Sequence, residues 1–388
     1  MKILYVVSRP LEINTSASIR NRATIMGLVE NGNQVTLLTT EPDSNHIAYD
    51  NSEKLNDVDI KYIKLNGIQS AARIGRKFKF LSPLKRIVIN YMDSHNIYDN
   101  LKGIVDHIAE VDINKFDLVI SSSDPKSSHL FVEKAKEYWK YQGKWIQIWG
   151  DPFYADITLD NKSKKKKIYS EEHRLLGSCD KVVYVSKMTL KAQMDLYPEF
   201  ASKMVYIPTP YLKTIDNKSE DISSKSCVNI AYCGDYASNV RNIMPLVSAV
   251  SNMSDKVRLT VCGNSDIQLA TSEQINILKR QPYKKVMEIE KKANILVHLS
   301  NLYGSQIPGK IFQYSGSYKP ILFILDGEKE EIRQQFEKYN RYYFSENNAS
   351  DIMQTIEKII RENKKFEPVE DFSKEQVAKN IISEVGVI

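Results

Sequence analysis

Residues 212–226 read LKTIDNKSEDISSKS, and this polar stretch without helical or strand periodicity divides the sequence into two series of strands and helices. Its Ser, Asn, Asp and Lys content is typical of a linker between domains. On both sides of it, apolar β-branched runs alternate with helical patterns, as in a parallel sheet covered by helices. A chain of 388 residues can form two such domains, each with its own core. The sequence therefore predicts a two-domain α/β protein.

The predicted division places the first domain at residues 1–210, the linker at 211–227, the second domain at 228–365 and a C-terminal helix at 366–388. Both domains are expected to be Rossmann-like, with parallel sheets facing a central cleft. We expect the last helix to pack back on the first domain. Open sheets of this kind bind ligands beyond the carboxyl ends of their strands, so we expect function in the cleft.

The predicted elements follow the apolar runs and the helical periodicity of each series. In the first series the predicted strands are Ile3–Val7, Gln34–Thr39, Ile60–Leu65, Leu118–Ser121, Trp145–Trp149, Lys181–Val185 and Met204–Ile207, and the helices Ala17–Glu30, Pro83–Glu110, Lys126–Tyr141 and Lys187–Leu196. In the second they are strands Val228–Cys233, Arg258–Cys262, Ile295–Leu299 and Pro320–Ile324, and helices Val240–Asn252, Lys284–Ala293, Pro308–Tyr314, Ser350–Glu362 and Ser373–Glu384, with a short apolar stretch at Ile275–Leu278.

Composition excludes several classes of protein. With 26% charged and 42% hydrophobic residues, the chain is neither disordered nor a disulfide scaffold. A net charge of +6 is compatible with anionic substrates but too small to indicate nucleic acid. The N-terminal apolar run is too short for a signal peptide, and no run is long enough to span a membrane. Cys233 and Cys262 lie in apolar runs typical of buried thiols, which favours a reduced, cytoplasmic protein.

Several common catalytic motifs are absent from the sequence. It contains no GxxxxGK[ST], no GxGxxG after the first strand, no HExxH and no GxSxG, which argues against the enzyme classes that carry them. The triplet Asp57-Val58-Asp59 spells DxD, a pattern that can hold a metal-bound diphosphate. It directly precedes a strand and lies far from any phosphate-binding sequence, so we interpret it as a solvated turn. No metal is expected.

Residues 302–320, LYGSQIPGKIFQYSGSYKP, form the most informative segment. Pro308 is predicted to lie just inside the start of a helix, where its missing N–H costs nothing. The backbone amides around Ser305–Gly309 would then face an anion, with Lys310 adding a positive charge. Such a site suits a diphosphate. The alternative is a glycine-containing turn that only starts a buried helix.

The pattern IPGKIFQY followed by KPIL resembles the donor-site signature of GT-B fold glycosyltransferases of the retaining, GT4-like type, glycosyltransferase family 4. The resemblance covers essentially the whole chain and implies a nucleotide-sugar co-substrate, UDP- or GDP-linked, with no further cofactor. That family carries two Glu residues eight apart, where this sequence has Ser305 and Gln313. The resemblance implies that Gln313 accepts a hydrogen bond from the nucleotide ribose through its amide oxygen. Donor binding would then rest on residues 305–309, namely Ser305, Gln306, Ile307, Pro308 and Gly309.

Further donor-side residues follow from the same resemblance. Gly234 ends the strand Val228–Cys233, and the resemblance implies that Arg241, predicted to open the next helix, neutralises the donor diphosphate together with Lys310. Tyr283 lies where such enzymes line the base pocket. The alternatives are a solvated first-turn arginine for Arg241 and a surface turn for Tyr283.

The resemblance also assigns residues on the first domain. Arg9 follows the first strand, and Ser18 and Arg20 lie in a loop and helix start without glycine, so their side chains are expected to contact the acceptor. His129 matches the histidine that touches the donor sugar, and Asp151 resembles an acceptor-side aspartate near the reacting hydroxyl. These two are the predicted catalytic residues. The alternative for His129 is that it only occupies the first turn of a helix, which nearby Ser or Asp residues cap for structural reasons.

Two basic stretches raise the possibility of a membrane partner. Arg73–Arg86 interleaves six basic residues with apolar ones, and Lys162–Lys167 reads KSKKKK. We expect Arg73–Arg86 to contact an anionic membrane surface or a lipid-linked acceptor, and KSKKKK to be a solvated loop. A peripheral position on the inner face of the cell membrane follows from the first expectation. The oligomeric state is left open.

The sequence as a whole favours a glycosyltransferase that moves a sugar from a nucleotide-diphosphate donor to a saccharide or lipid-linked acceptor, with retention. The resemblance places this reaction in bacterial surface polysaccharide or glycolipid biosynthesis. Two alternatives stay open: a GT-B-fold sugar-nucleotide epimerase and a non-catalytic sugar-nucleotide-binding protein, the latter suggested by the missing Glu pair.

Overall fold

The computed structural model describes residues 1–65, 97–156, 164–215 and 221–386. The chain divides into two compact units. The first unit consists of Met1–Tyr49, Lys54–Ile207 and Ala378–Ile388, and the second of Asp50–Glu53 and Pro208–Val377. The last eleven residues therefore group with the first unit, where Lys181 pairs with Glu384 at 3.0 Å.

The first unit contains a seven-stranded sheet in which every neighbouring pair is parallel. Its strands are β1 (Lys2–Val6), β2 (Gln34–Thr40), β3 (Val58–Ile63), β4 (Leu118–Ser122), β5 (Lys144–Trp149), β6 (Lys181–Tyr184) and β7 (Met204–Tyr206). They are ordered β3-β2-β1-β4-β5-β6-β7. Strands β1 and β4 are almost wholly buried because helices cover both faces of a parallel sheet.

Helices cover the sheet of the first unit and complete its core. They are α1 (Ser16–Glu30), α2 (Ser127–Trp139), α3 (Lys165–Ser178) and α4 (Lys187–Leu196), with 3₁₀ turns at Asn100–Glu110, Ile113–Lys115 and Pro198–Lys203. Thr15 caps α1 through its side chain. The core contains two fully buried tryptophans, Trp145 and Trp149.

The second unit repeats the plan with a six-stranded parallel sheet of order β10-β9-β8-β11-β12-β13. Its strands are β8 (Val228–Cys233), β9 (Val257–Cys262), β10 (Ile275–Leu278), β11 (Ile295–Leu299), β12 (Ile321–Leu325) and β13 (Tyr342–Glu346). Its helices are α5 (Met244–Ser251), α6 (Tyr283–Lys292), α7 (Lys310–Ser315), α8 (Lys329–Phe336) and α9 (Ala349–Glu362), followed by α10 (Lys374–Ser383) at the crossing between the units. A separate aliphatic core lies between sheet and helices.

The predicted α/β class with two parallel sheets is confirmed, and most predicted strands agree within two residues. Among the α-helices and strands of the described ranges, α3, α8 and β13 were not predicted. Helix α3 begins at Lys165, inside the KSKKKK stretch, so the expectation of a loop was wrong for its described residues. Where Pro83–Glu110 was predicted as a helix, the described part from Asn100 onwards forms 3₁₀ turns with a kink at His107.

Two predicted helix starts were also wrong. Helix α7 begins at Lys310, two residues after Pro308, and α5 begins three residues after Arg241.

The predicted linker is not simply polar. Its residues Leu212, Ile215 and Ile222 are buried in the second unit. The segment therefore packs on that unit at its apolar positions.

Candidate active site

In the first unit, three segments that follow central strands meet around one arginine. They come after β1, β4 and β5, which are neighbours in the sheet, so their carboxyl ends lie at the same edge. Arg20 on α1 is buried, and its Nη2 donates to the backbone oxygen of Ser123 after β4. A Cβ on Gly150, after β5, would collide with the Arg20 guanidinium. The glycine therefore leaves the space that the arginine fills.

Next to Arg20 lies a cluster of one buried lysine and three partly buried aspartates. Lys126 is paired with Asp124 and lies 3.9 Å from Asp156, and Asp151 interacts with Asp124 and with Lys126. Although burial works against its charge, the carboxylates of Asp124, Asp151 and Asp156 raise the pKa of Lys126. Lysine and aspartate are thus held as ions in a largely desolvated site.

The pKa of Asp151 is shifted in the opposite direction to that of its neighbour Asp124. Burial, and then the negative charge of Asp124, raise the pKa of Asp151 from 3.8 to about 6. For Asp124 burial acts in the same direction, but the contact with Lys126 lowers its pKa overall. Two nearby carboxyl groups with separated pKa values can hold and release one proton near neutral pH.

His129 has no exposed surface. Its Nδ1 is 2.7 Å from Ser121 Oγ, which also accepts from Trp145 Nε1 at 2.8 Å, and its ring stacks on Trp149 at 4.4 Å. Burial, followed by the charge of Lys126, lowers the pKa of His129 to about 3, so the ring is neutral. A contact with a donor sugar requires the ring to reach the surface, and that contact stays a prediction.

The two other residues predicted for the acceptor have local roles in the structure. Ser18 forms a capping box with Thr15: its Oγ accepts from Thr15 N at 2.8 Å, and Thr15 Oγ1 accepts from Ser18 N at 3.1 Å. Arg9 follows β1 and is partly exposed. Burial raises the pKa of Asp99, and the positive charge of Arg9 is among the influences that oppose this shift. Acceptor contacts stay a prediction for both Ser18 and Arg9.

In the second unit, Arg241 is fixed at the carboxyl ends of the two central strands. Its Nη1 donates to Asp235 O, beyond β8, at 2.6 Å, and its Nε donates to Asn301 Oδ1, beyond β11, at 2.9 Å. Gly234 lies in the same turn, and a Cβ on Gly263 would collide with its carbonyl oxygen. The two strand-end turns pack closely, and Arg241 joins one of them to the end of β11.

Lys310 lies near the same strand ends. Its Nζ is 2.5 Å from Glu290 Oε1 on α6 and 5.3 Å from the ring centre of Tyr314. Burial works against its charge, but Glu290 and then Cys233 raise the pKa of Lys310. The backbone N–H of Cys233 in turn donates to Tyr314 Oη at 3.3 Å. The lysine is therefore a permanent cation beside the end of β8.

The remaining donor-side predictions fall into two groups. Gln313 Oε1 accepts from Leu212 N and its Nε2 donates to Pro210 O, both at 2.9 Å, so its amide is already used by the backbone. Its contact with a ribose stays a prediction. Tyr283 is buried, and its N–H donates to Asp50 Oδ2 at 2.8 Å.

The loop before α7 is held by Asn301, whose Nδ2 donates to Gln306 O at 3.0 Å. Ser305, Gln306, Ile307, Pro308 and Gly309 are all partly exposed in this loop. The same asparagine accepts from Arg241, so it links the predicted diphosphate loop to the predicted diphosphate cation. Donor binding by this loop stays a prediction.

Some predictions fall outside the described residues. Arg73–Arg86 lies wholly within the gap at 66–96, and the first two residues of Lys162–Lys167 lie in the gap at 157–163. Among the helices that the structure describes, none has the length and apolarity needed to cross a bilayer. Within the described ranges, no group of three or more His, Cys, Asp or Glu residues is arranged to hold a metal ion. Cys233 and Cys262 are buried free thiols, as predicted.

Comparison with solved structures decides the fold. The catalytic domain of starch synthase IV from Arabidopsis thaliana, bound to ADP and acarbose, matches with a TM-score of 0.59 at 8% identity, over 99% of this chain and 98% of that one. Sucrose-phosphate synthase from Thermosynechococcus elongatus matches at 0.58 and 13% identity, over 99% and 94% of the two chains. The lipopolysaccharide outer core galactosyltransferase WaaB in its apo form matches at 0.53 and 11% identity, over 100% and 99%. The chain has the GT-B fold. No family model matches the sequence, and no curated protein matches it.

Several residues of this GT-B chain that hold the two clusters were not predicted. Asp124 and Lys126 lie in Ser121–His129, SSSDPKSSH, and their opposite charges two residues apart after a strand were a usable signal. Asn301 and Glu290 carried no such signal. Each acts through a partner far along the chain, Arg241 and Lys310 respectively, and only the tertiary structure brings these pairs together.

Proposed function

We propose that the chain is a glycosyltransferase that moves a sugar from a UDP- or GDP-linked donor to a saccharide or lipid-linked acceptor, with retention. The observation that carries the proposal is the placement of Arg241 and Lys310 beside the carboxyl ends of β8 and β11 in a chain with the GT-B fold. Ligands of open parallel sheets bind at such strand ends. WaaB is a galactosyltransferase, and the catalytic domain of starch synthase IV was solved with ADP bound, which supports the same class of donor.

The two cations have a clear chemical task in this reaction. Cleavage of the bond between sugar and diphosphate leaves negative charge on the diphosphate, and fixed cations lower the free energy of that state. Arg241 is already oriented by Asp235 O and Asn301 Oδ1, so little reorganisation is needed when the charge develops. Lys310 adds a second charge that stays protonated at neutral pH.

On the first unit, Asp151 and Asp124 supply the groups that could position an acceptor hydroxyl. A carboxyl group whose pKa lies near 6 accepts a hydrogen bond from a hydroxyl at neutral pH, and Arg20 and Lys126 keep the local charge balanced. With retention, the leaving phosphate itself takes part in removing the acceptor proton. No carboxylate nucleophile is then required, and Asp151 is assigned to positioning the acceptor.

The proposed setting is bacterial surface polysaccharide or glycolipid biosynthesis at the inner face of the cell membrane. It rests on the resemblance stated above and on the basic stretch Arg73–Arg86. A lipid-linked acceptor would be reached there through the headgroup region. Metal-independent transfer is part of the same proposal.

Nucleotide binding tests the proposal directly. We expect UDP, GDP or ADP to raise the melting temperature of the full chain, because a ligand at 100 times its Kd stabilises the folded state by about 2.7 kcal/mol. Arg241→Ala should weaken the effective nucleotide by roughly tenfold to a hundredfold, the loss of a charge-assisted contact. Arg258→Ala is the matched control, since Arg258 is exposed on β9 of the same unit. If no nucleoside diphosphate shifts the melting temperature, the donor site is refuted, and an equal shift in Arg241→Ala removes that residue from it.

A sugar-nucleotide epimerase is the second candidate because the Asp124 and Asp151 pair offers protein acid and base groups. The products separate the two functions. A transferase releases nucleoside diphosphate and, with an acceptor, a new glycoside, whereas an epimerase converts one sugar nucleotide into another without acceptor. Interconversion that is lost in Asp151→Asn would establish the epimerase and overturn the transferase.

A further inference from the structure

A cavity of about 450 Å³ lies along β13, the edge strand of the second sheet, between α8 and α9. Its charged lining residues are Arg333, Arg341, Lys358, Lys364, Asp351 and Glu362. Four cations thus face two carboxylates. The size is in the range of small-molecule sites.

Both carboxylates of the cavity are used within the protein. Asp351 Oδ2 accepts from Ser345 Oγ at 3.0 Å and from Glu346 N at 2.6 Å. Glu362 Oε2 accepts from Tyr343 Oη at 3.0 Å and lies 2.9 Å from Lys364 Nζ. Glu362 therefore pairs with Lys364, and neither carboxylate forms an ion pair with Arg333, Arg341 or Lys358 among the described residues.

Arg341 is the most buried of these cations, with 3% of its surface exposed. It donates to three backbone oxygens, those of Ser317, Glu367 and Lys319, and its Nε has no hydrogen-bond partner among the described atoms. Burial lowers the pKa of Arg341 to about 10, so it remains charged at neutral pH. A buried guanidinium without a carboxylate is costly unless an anion approaches it.

The other two cations add to this positive field. Lys358, on α9, forms no ion pair within the described ranges. Arg333, on α8, lies 5.0 Å from the ring centre of Phe344 and 3.9 Å from Glu346, a carboxylate already in contact with Lys329. Between the charges, Gln354 and Thr355 line the cavity with an amide and a hydroxyl.

We propose that this cavity binds a sugar that carries an anionic group, a phosphate or a carboxylate. The cations hold the anionic group, and the amide and hydroxyl groups suit the sugar hydroxyls. The site is separate from the proposed donor site, whose residues follow β8 and β11, whereas this cavity lies along β13. It does not depend on the proposed function, and such a site would let the protein hold an acidic saccharide outside its reaction centre.

Calorimetric titration of the full chain tests this site with defined probes. Glucose 6-phosphate and glucuronic acid represent the phosphate and carboxylate forms, and the one that binds more tightly identifies the anionic group. We expect at least one of them to bind, and Lys358→Gln and Arg333→Gln each to weaken it by about tenfold. Lys256→Gln, an exposed lysine of the same unit, is the control and should leave the affinity unchanged.

Four results would overturn the proposal. They are failure of both anionic sugars to bind, unchanged affinity in the Lys358 and Arg333 variants, equal binding of neutral glucose, and binding of inorganic phosphate as tight as that of glucose 6-phosphate. Arg241→Ala should leave this binding intact, which separates it from the donor site. Lys358→Gln should likewise leave any shift by nucleoside diphosphate intact, so the two proposals fail or succeed independently.

Discussion

Gly150 shows how one missing side chain sets the position of a charged group. It follows β5, and a Cβ there would meet the Arg20 guanidinium, which lies against the oxygen of Ser123. Arg20 is buried, so the guanidinium has little room to withdraw. The glycine is therefore explained by close packing with Arg20, a relation that no local pattern of the sequence contains.

We expect Gly150→Ala to lower the free energy of unfolding by about 1–3 kcal/mol, the usual cost of overpacking a filled site. Urea denaturation measures the change. Gly103→Ala is the control, because its Cβ would lie 3.7 Å from Leu65 Cδ2 in ordinary contact. In an Arg20→Ala background the cost of Gly150→Ala should largely disappear, since the clash is gone. Equal costs in both backgrounds would contradict this explanation.

At the scale of elements, α7 shows why a motif is not enough to fix a side chain's role. The helix is short, and Gln313 on it binds the backbone at Pro210 and Leu212 with both ends of its amide. One of these bonds requires a donor, which a glutamate cannot supply at neutral pH. The resembled GT4-like family has a glutamate at this position, and the contacts of Gln313 within the second unit give a structural reason for the glutamine here.

Gln313→Glu should accordingly destabilise the protein by about 1–3 kcal/mol, because the oxygen of Pro210 loses its donor. Thermal or urea unfolding at neutral pH measures the loss. Gln142→Glu is the control, since Gln142 is exposed and its side chain donates to the nearby Lys140 O. A stable Gln313→Glu variant with tighter nucleotide binding would instead favour the predicted contact with a ribose.

Element prediction succeeded where periodicity and caps were strong and failed where they were not. The runs Val228–Cys233 and Ile295–Leu299 predicted β8 and β11 without error because buried parallel strands are continuous apolar runs. Strand β13, YYFSE, has a polar end and lies at the sheet edge, and it was missed. Helix α3 was missed because its first turn is a run of lysines, whose helical role depends on Ile168 and Leu175 packing in the core.

At the scale of the whole molecule, the burial of Asp151 makes stability depend on pH. Its pKa in the folded protein is raised from 3.8 to about 6, so the folded state binds more protons than the unfolded state between these values. The contribution of Asp151 to stability is therefore present below the unfolded value and is lost as the pH rises through about 6.

Asp151→Asn removes this titration. Relative to wild type, the variant should gain stability as the pH rises from about 4 to 7, by roughly 2 kcal/mol in total. Urea unfolding across this range measures the difference. Asp106→Asn, an exposed carboxylate outside the cluster, is the control. The same trend in the control, or none in Asp151→Asn, would show that Asp151 is not the responsible group.

By itself the sequence determined the fold class, because two series of apolar runs separated by a polar segment can be buried only as two covered parallel sheets. It also determined which residues follow strand ends, including Arg20, Asp151 and Arg241. Only the tertiary structure decided what these residues contact. The partners of Arg20 and Arg241 lie on other strand ends, and the cations along β13 come from α8, from α9 and from the segments that precede β13 and follow α9. Such contacts depend on distances in space that the order of residues along the chain does not specify.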